Sequence, residues 1–170
     1  MEQGSTEDFP YEGNWEGTGV VINSKGEEKV RYKETLEIKL IKTAPVNIYM
    51  ITSSTYKEAD PSFSMHFETG FIKLLPATEE GNKVEMSLTH PFSINEFSFG
   101  SYNKDTKALT VEAGKEHLMR GNTAQGKSTT GFKREYTITE DGSLHYKMYL
   151  GVDDNDLYHH LTGELTKSVS

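Results

Sequence analysis

The chain has 170 residues, of which 26 are acidic and 18 basic, giving a net charge of -8, and it contains no cysteine. The acidic balance excludes phosphate-driven binding of nucleic acid and adhesion to anionic membrane surfaces. The absence of thiols excludes disulfide staples, cysteine-ligated zinc, iron–sulfur clusters and thiolate catalysis.

Taken in order, residues 1–10 are polar and acidic and are expected to form a flexible N-terminal segment ahead of one domain over 11–170. The opening stretch has neither the charged and apolar regions of a signal peptide nor the composition of a transit peptide, and no apolar run is long enough to span a membrane, so a cytoplasmic protein is expected. Gly13, Gly17 and Gly19 flank Trp15, the only tryptophan. Such spacing suits a strand in a crowded place, with the indole plugging one end of a barrel. From Lys29 to Leu40, Val30, Tyr32, Leu36, Ile38 and Leu40 alternate with polar residues, as in a half-buried strand. Glu34 falls on the apolar side of that alternation. An inward carboxylate needs a partner.

Strand-like runs follow over Val46–Tyr56, Ser62–Leu74, Val84–Leu88, Ile94–Tyr102 and Ala108–Ala113, with turns at Glu79–Asn82 and Asn103–Lys107. Gly114–Thr130 lacks a period and reads as a long loop with some strand in it. Thr130–Thr139 and Ser143–Gly151 flank Glu140-Asp141-Gly142, a hairpin signal. The last strand begins near Asp156. No segment carries a helical stripe. Roughly ten short strands at close spacing predict an all-β fold, an antiparallel sandwich or closed barrel.

Two groups of polar residues bear on function. Phe132, Arg134, Tyr136 and Ile138 share a face, so Arg134 joins Glu34 inside. The pair reads either as a buried ion pair or, with Tyr136, as an arginine fork for a ligand carboxylate. Of the six histidines, none shows the spacing of a helical zinc site. No Gly-x-Ser-x-Gly elbow supports a hydrolase triad, and no carboxylate spacing favours a glycosidase. His159 and His160 open the final strand. A neutral imidazole at a barrel mouth suits a metal or haem iron. Strict alternation puts His159 inward with Leu157, Leu161 and Leu165, and His160 outward. That pattern fails if the pair precedes regular pairing or if the apolar face packs outside the cavity.

Six segments, in order along nearly the whole chain, resemble the nitrobindin family of haem-binding β-barrels. They are Gly13-x-Trp15-x-Gly17-x-Gly19; Tyr32-x-Glu34; Met65-His66-Phe67-Glu68-Thr69-Gly70-Phe71; Val84-Glu85 through Thr89-His90-Pro91 to Glu96 and Gly100; Arg134-x-Tyr136 with Leu144-x-Tyr146; and His160-Leu161. The resemblance implies a single antiparallel barrel of roughly ten strands, related in shape to fatty-acid-binding proteins and lipocalins. It implies one ferric haem b per chain, ligated by His160, with His159 as second choice. Met65, His66 and His90 would line the pocket, His66 as a hydrogen-bond donor to ligand. The implied activity is nitric oxide binding and isomerisation of peroxynitrite to nitrate, with no catalytic side chain beyond the iron, in a monomer or weak homodimer that binds no nucleic acid or membrane. The chain departs from the family where a threonine usually touches the haem: Asn23 to Glu28 is longer and more charged, with Ser24 as the positional stand-in. The family's Gly-Lys-Pro turn is here Thr43-Ala44-Pro45. Two alternatives stand beside this reading: a non-enzymatic carrier of a fatty acid or other apolar carboxylate held by Arg134 and Tyr136, and a haem-free interaction module.

Overall fold

The computed structural model describes residues 8–169. Alternating side chains along nearly every segment produce eleven strands: β1 (Gly13–Ile22), β2 (Glu28–Lys42), β3 (Asn47–Lys57), β4 (Asp60–Thr78), β5 (Gly81–His90), β6 (Ile94–Asn103), β7 (Ala108–Ala113), β8 (Leu118–Arg120), β9 (Thr129–Ile138), β10 (Leu144–Val152) and β11 (Tyr158–Lys167). All pairings are antiparallel, in the order β5-β4-β3-β2-β1-β11-β10-β9-β7-β6, and β6 pairs back onto β5 to close a barrel. Among the described residues β8 is the one strand outside it, lying along the first residues of β6. Closure leaves no long free edge. The Gly114–Thr130 stretch thus contains a 3₁₀ turn at Lys115–His117 and the short β8 before β9 begins.

The barrel interior divides into two halves. At one end Trp15, Ile38, Tyr49, Leu74, Tyr102, Leu109, Ile138 and Leu144 form a packed core. Trp15 closes it as expected: its indole nitrogen donates to the Tyr11 carbonyl at 2.9 Å, and the Lys167 ammonium sits 5.1 Å from the ring centre. Phe9 and Tyr11 belong to the same core, so packing begins ahead of β1. Residues 1–7 of the expected flexible segment lie outside the described residues. The other half is hollow. It is framed by the end of β1, the start of β2, the start of β4, the end of β5 and the starts of β9 and β11.

Candidate functional site

The hollow half is a cavity of about 390 Å³, within the size range of cofactor clefts. Its wall is mostly apolar, with Val21, Val30, Ile51, Phe132, Met148, Leu150 and Leu161 among the lining residues. Met65, His66, His90 and His160, the four residues expected at a pocket, all line it, and His159 does not.

A β-bulge sets which of the two histidines faces the cavity. In the β10–β11 ladder Met148 faces Leu161 and Tyr149 faces His159, so His160 has no partner on β10. One extra residue inverts the inside–outside alternation. His160 therefore joins Leu161 on the cavity wall. His159 turns out to pack on the Tyr149 ring, 5.4 Å between centres, with its Nε2 2.7 Å from the Thr162 hydroxyl. This is neither of the two ways in which alternation was expected to fail. The His160 Nδ1 lies 3.2 Å from the Ile22 carbonyl, and only a protonated Nδ1 can donate there. Nε2 is then the nitrogen with the free lone pair. Burial pushes the His160 pKa down, against a smaller upward pull from the Ile22 bond, which favours this neutral form.

Deeper in the wall are two polar networks. In the first, the Tyr146 hydroxyl and the Ser53 hydroxyl (2.8 Å) both donate to Glu34, and the Tyr32 hydroxyl meets that of Tyr146 at 2.6 Å. Burial raises Glu34 to about 7, with the two hydroxyl donors pulling back. In the second, Arg134 lies between two carboxylates, with Nη1 on Glu96 and Nη2 3.3 Å from Glu68. Burial alone would raise Glu68, but Arg134 and, after it, His66 and His90 hold it at about 2. The His90 Nε2 faces Glu96 at 3.4 Å.

The expected Glu34–Arg134 ion pair is therefore absent. Glu34 is satisfied by hydroxyls, and Glu68 and Glu96 take the guanidinium. The arginine fork for a ligand carboxylate fails on the same ground, because two internal carboxylates already hold Arg134. Alternation placed Glu34 and Arg134 correctly inside. The partners were missed because pairing around a barrel depends on register between strands distant in sequence. Glu68 and Glu96 had a usable signal: each shares a strand face with inward residues, Glu68 with Ile72 and Leu74, Glu96 with Ser98 and Tyr102. Ser24 does not line the cavity. Asn23 closes its loop into a self-contained turn, accepting from the Lys25 and Glu27 amides at 3.0 Å.

Residues 9–167 match the family described as the THAP4-like, heme-binding beta-barrel domain. The chain belongs to that family. A peroxynitrite isomerase of Frankia alni is 30% identical over 106 residues, 62% of this chain and 68% of that protein. Among solved structures, the crystal structure of Rv2717c from M. tuberculosis superposes with a TM-score of 0.75 at 25% identity, covering 94% of both chains. The resemblance noted in the sequence and the all-β antiparallel barrel are thus both established. The family is heme-binding, and in this member the mostly apolar wall, the cavity of about 390 Å³ and the His160 imidazole that lines it fit such a ligand.

Proposed function

We propose that this cytoplasmic protein holds one ferric haem b in the cavity with His160 Nε2 as axial ligand, binds nitric oxide and isomerises peroxynitrite to nitrate. The observation that carries this reading is the His160–Ile22 hydrogen bond. It fixes the tautomer and orientation of an imidazole on the cavity wall before any ligand arrives, as outer-shell partners of metal-bound histidines do. A bound haem would supply Lewis acidity, and the isomerisation of peroxynitrite to nitrate needs no gain or loss of atoms.

The protein's own residues supply position and exclusion. The bulge aims His160. Val21, Leu150 and Leu161 line the cavity with it, and burial favours the neutral imidazole that can donate its lone pair. Met65 and His66 stand four strands away around the barrel. There His66 offers a ring N–H to a small ligand, while Met65 limits the space beside it. The relative from Frankia alni, named a peroxynitrite isomerase, supports the same chemistry.

Titration of the purified protein with hemin, followed by nitric oxide and then peroxynitrite, tests this. The expected result is a saturable Soret band with one-to-one stoichiometry that shifts with nitric oxide, and faster peroxynitrite decay with nitrate as product. Hemin absorbing as it does in buffer would overturn the haem assignment. A normal haem complex with an unchanged peroxynitrite decay rate would overturn the isomerase assignment alone.

A further inference from the structure

We propose that His66, Glu68 and His90 form a second metal site, for a divalent first-row transition ion such as Zn²⁺, in the wall of the cavity and distinct from the His160 position. Three ligand-type atoms converge there. His66 Nε2 lies 3.1 Å from His90 Nδ1, and each of these nitrogens lies 3.4 Å from the same oxygen of Glu68. The triangle is nearly equilateral. Three ligands of a tetrahedral Zn²⁺ at about 2.0–2.1 Å stand about 3.3–3.4 Å from one another. An ion slightly above the plane of this triangle therefore reaches all three atoms with almost no movement. Two imidazoles and one carboxylate on one face of an ion leave a position open, here toward the cavity.

The surroundings hold the two rings in place. The His66 ring stacks on Phe92 with centres 5.2 Å apart, and the His90 ring lies 9° from parallel with Phe132 at 5.5 Å. The far nitrogen of His90 faces Glu96 at 3.4 Å, the carboxylate–histidine arrangement that orients metal ligands. With an ion on Nδ1, the His90 proton would sit on Nε2, where Glu96 can accept it. Arg134 touches Glu68 and Glu96 together. Two carboxylates and one guanidinium sum to one negative charge, so a divalent cation meets net attraction. The Arg134 Nη2 reaches the same Glu68 oxygen, at 3.3 Å, so that oxygen is held in place by the guanidinium while its remaining lone pair serves the ion.

The site does not depend on the haem reading, and its test uses haem-free protein. Zn²⁺ competition against a chromophoric chelator, and Co²⁺ absorption in the visible d–d region, are measured on the wild type and on His66→Ala, Glu68→Gln and His160→Ala. The expected result is one Zn²⁺ per wild-type chain and an intense low-symmetry Co²⁺ band. His160→Ala keeps both, and His66→Ala and Glu68→Gln each lose at least about tenfold in affinity. His66 is partly exposed, so its loss leaves the fold intact, which far-ultraviolet circular dichroism checks. Absence of stoichiometric Zn²⁺ binding by the wild type overturns the proposal. So does equal binding by folded His66→Ala, which would place the ion on surface histidines. Loss of Zn²⁺ in His160→Ala would instead place the ion at the His160 position and equally overturn it.

Discussion

Gly19 lies directly across the β1–β11 seam from Gly163. The rings of Tyr32 and Tyr146 lean over these two glycines from the flanking strands and join hydroxyl to hydroxyl. A Cβ at Gly19 would fall within the end of the Tyr32 ring, and one at Gly163 within the Tyr146 ring. The glycines are therefore the floor on which the Tyr32–Tyr146–Glu34 network rests. Gly163→Ala is expected to cost about 1–3 kcal/mol by overpacking. In urea denaturation, its effect combined with Tyr146→Ala should be clearly less than additive, because the second change removes what the first collides with. Full additivity would mean that the two positions do not touch.

The bulge at His160 makes a sharp prediction about two adjacent side chains. His160→Ala should abolish the Soret band of bound hemin, while His159→Ala and His117→Ala should retain it. An absorption titration of the three variants decides the matter. Retention in His160→Ala with loss in His159→Ala would show that the inside–outside assignment at the start of β11 is inverted.

Glu34 and Glu68 respond to pH in opposite directions. The folded value of Glu34, about 7, lies above its ordinary 4.5, so the native state holds this proton more tightly than the unfolded chain. Its contribution to stability is full below about 4.5 and is lost as the pH rises through about 7, a change on the order of 3 kcal/mol. Glu34→Gln should flatten the stability profile across that window, measured as urea midpoints against pH. Glu68, held at about 2, contributes stability that is present above 4.5 and lost as the pH falls through about 2. A profile in Glu34→Gln that still declines toward pH 7 would assign the effect to another group.

Arg134→Met should destabilise the fold by about 3–5 kcal/mol, because it strands the Glu68 and Glu96 carboxylates inside the barrel. Double-mutant cycles from chemical denaturation should give a larger coupling for Arg134 with Glu96 than for Arg134 with Glu34. The reverse order would restore the ion pair read from the sequence.

The fold was legible because a barrel needs little beyond alternation and turns. β2 and β7 follow from side-chain period alone, and Glu140-Asp141-Gly142 announces its hairpin, with Gly142 at φ +83°. The four pocket residues came from the family resemblance, and two of them, His66 and His90, also lie on strand faces that alternation marks as inward. His160 could not be placed by period, because a bulge is a single uncounted residue and nothing in Tyr158-His159-His160-Leu161 marks it. The partners of Arg134 were hidden for a related reason. Alternation tells which residues enter the barrel, and only closure tells which of them meet. Phe9 escaped notice because a single aromatic in a polar segment has no period.

The division of the barrel into a packed half and a hollow half separates assembly from loading. The packed half is sealed by Trp15 and contains Phe9 and Tyr11, none of which lines the cavity, so this end of the barrel is expected to form without a ligand in the other. A cell short of cofactor would then accumulate vacant but intact protein rather than degraded chains. The amount of working protein would follow cofactor supply without new synthesis.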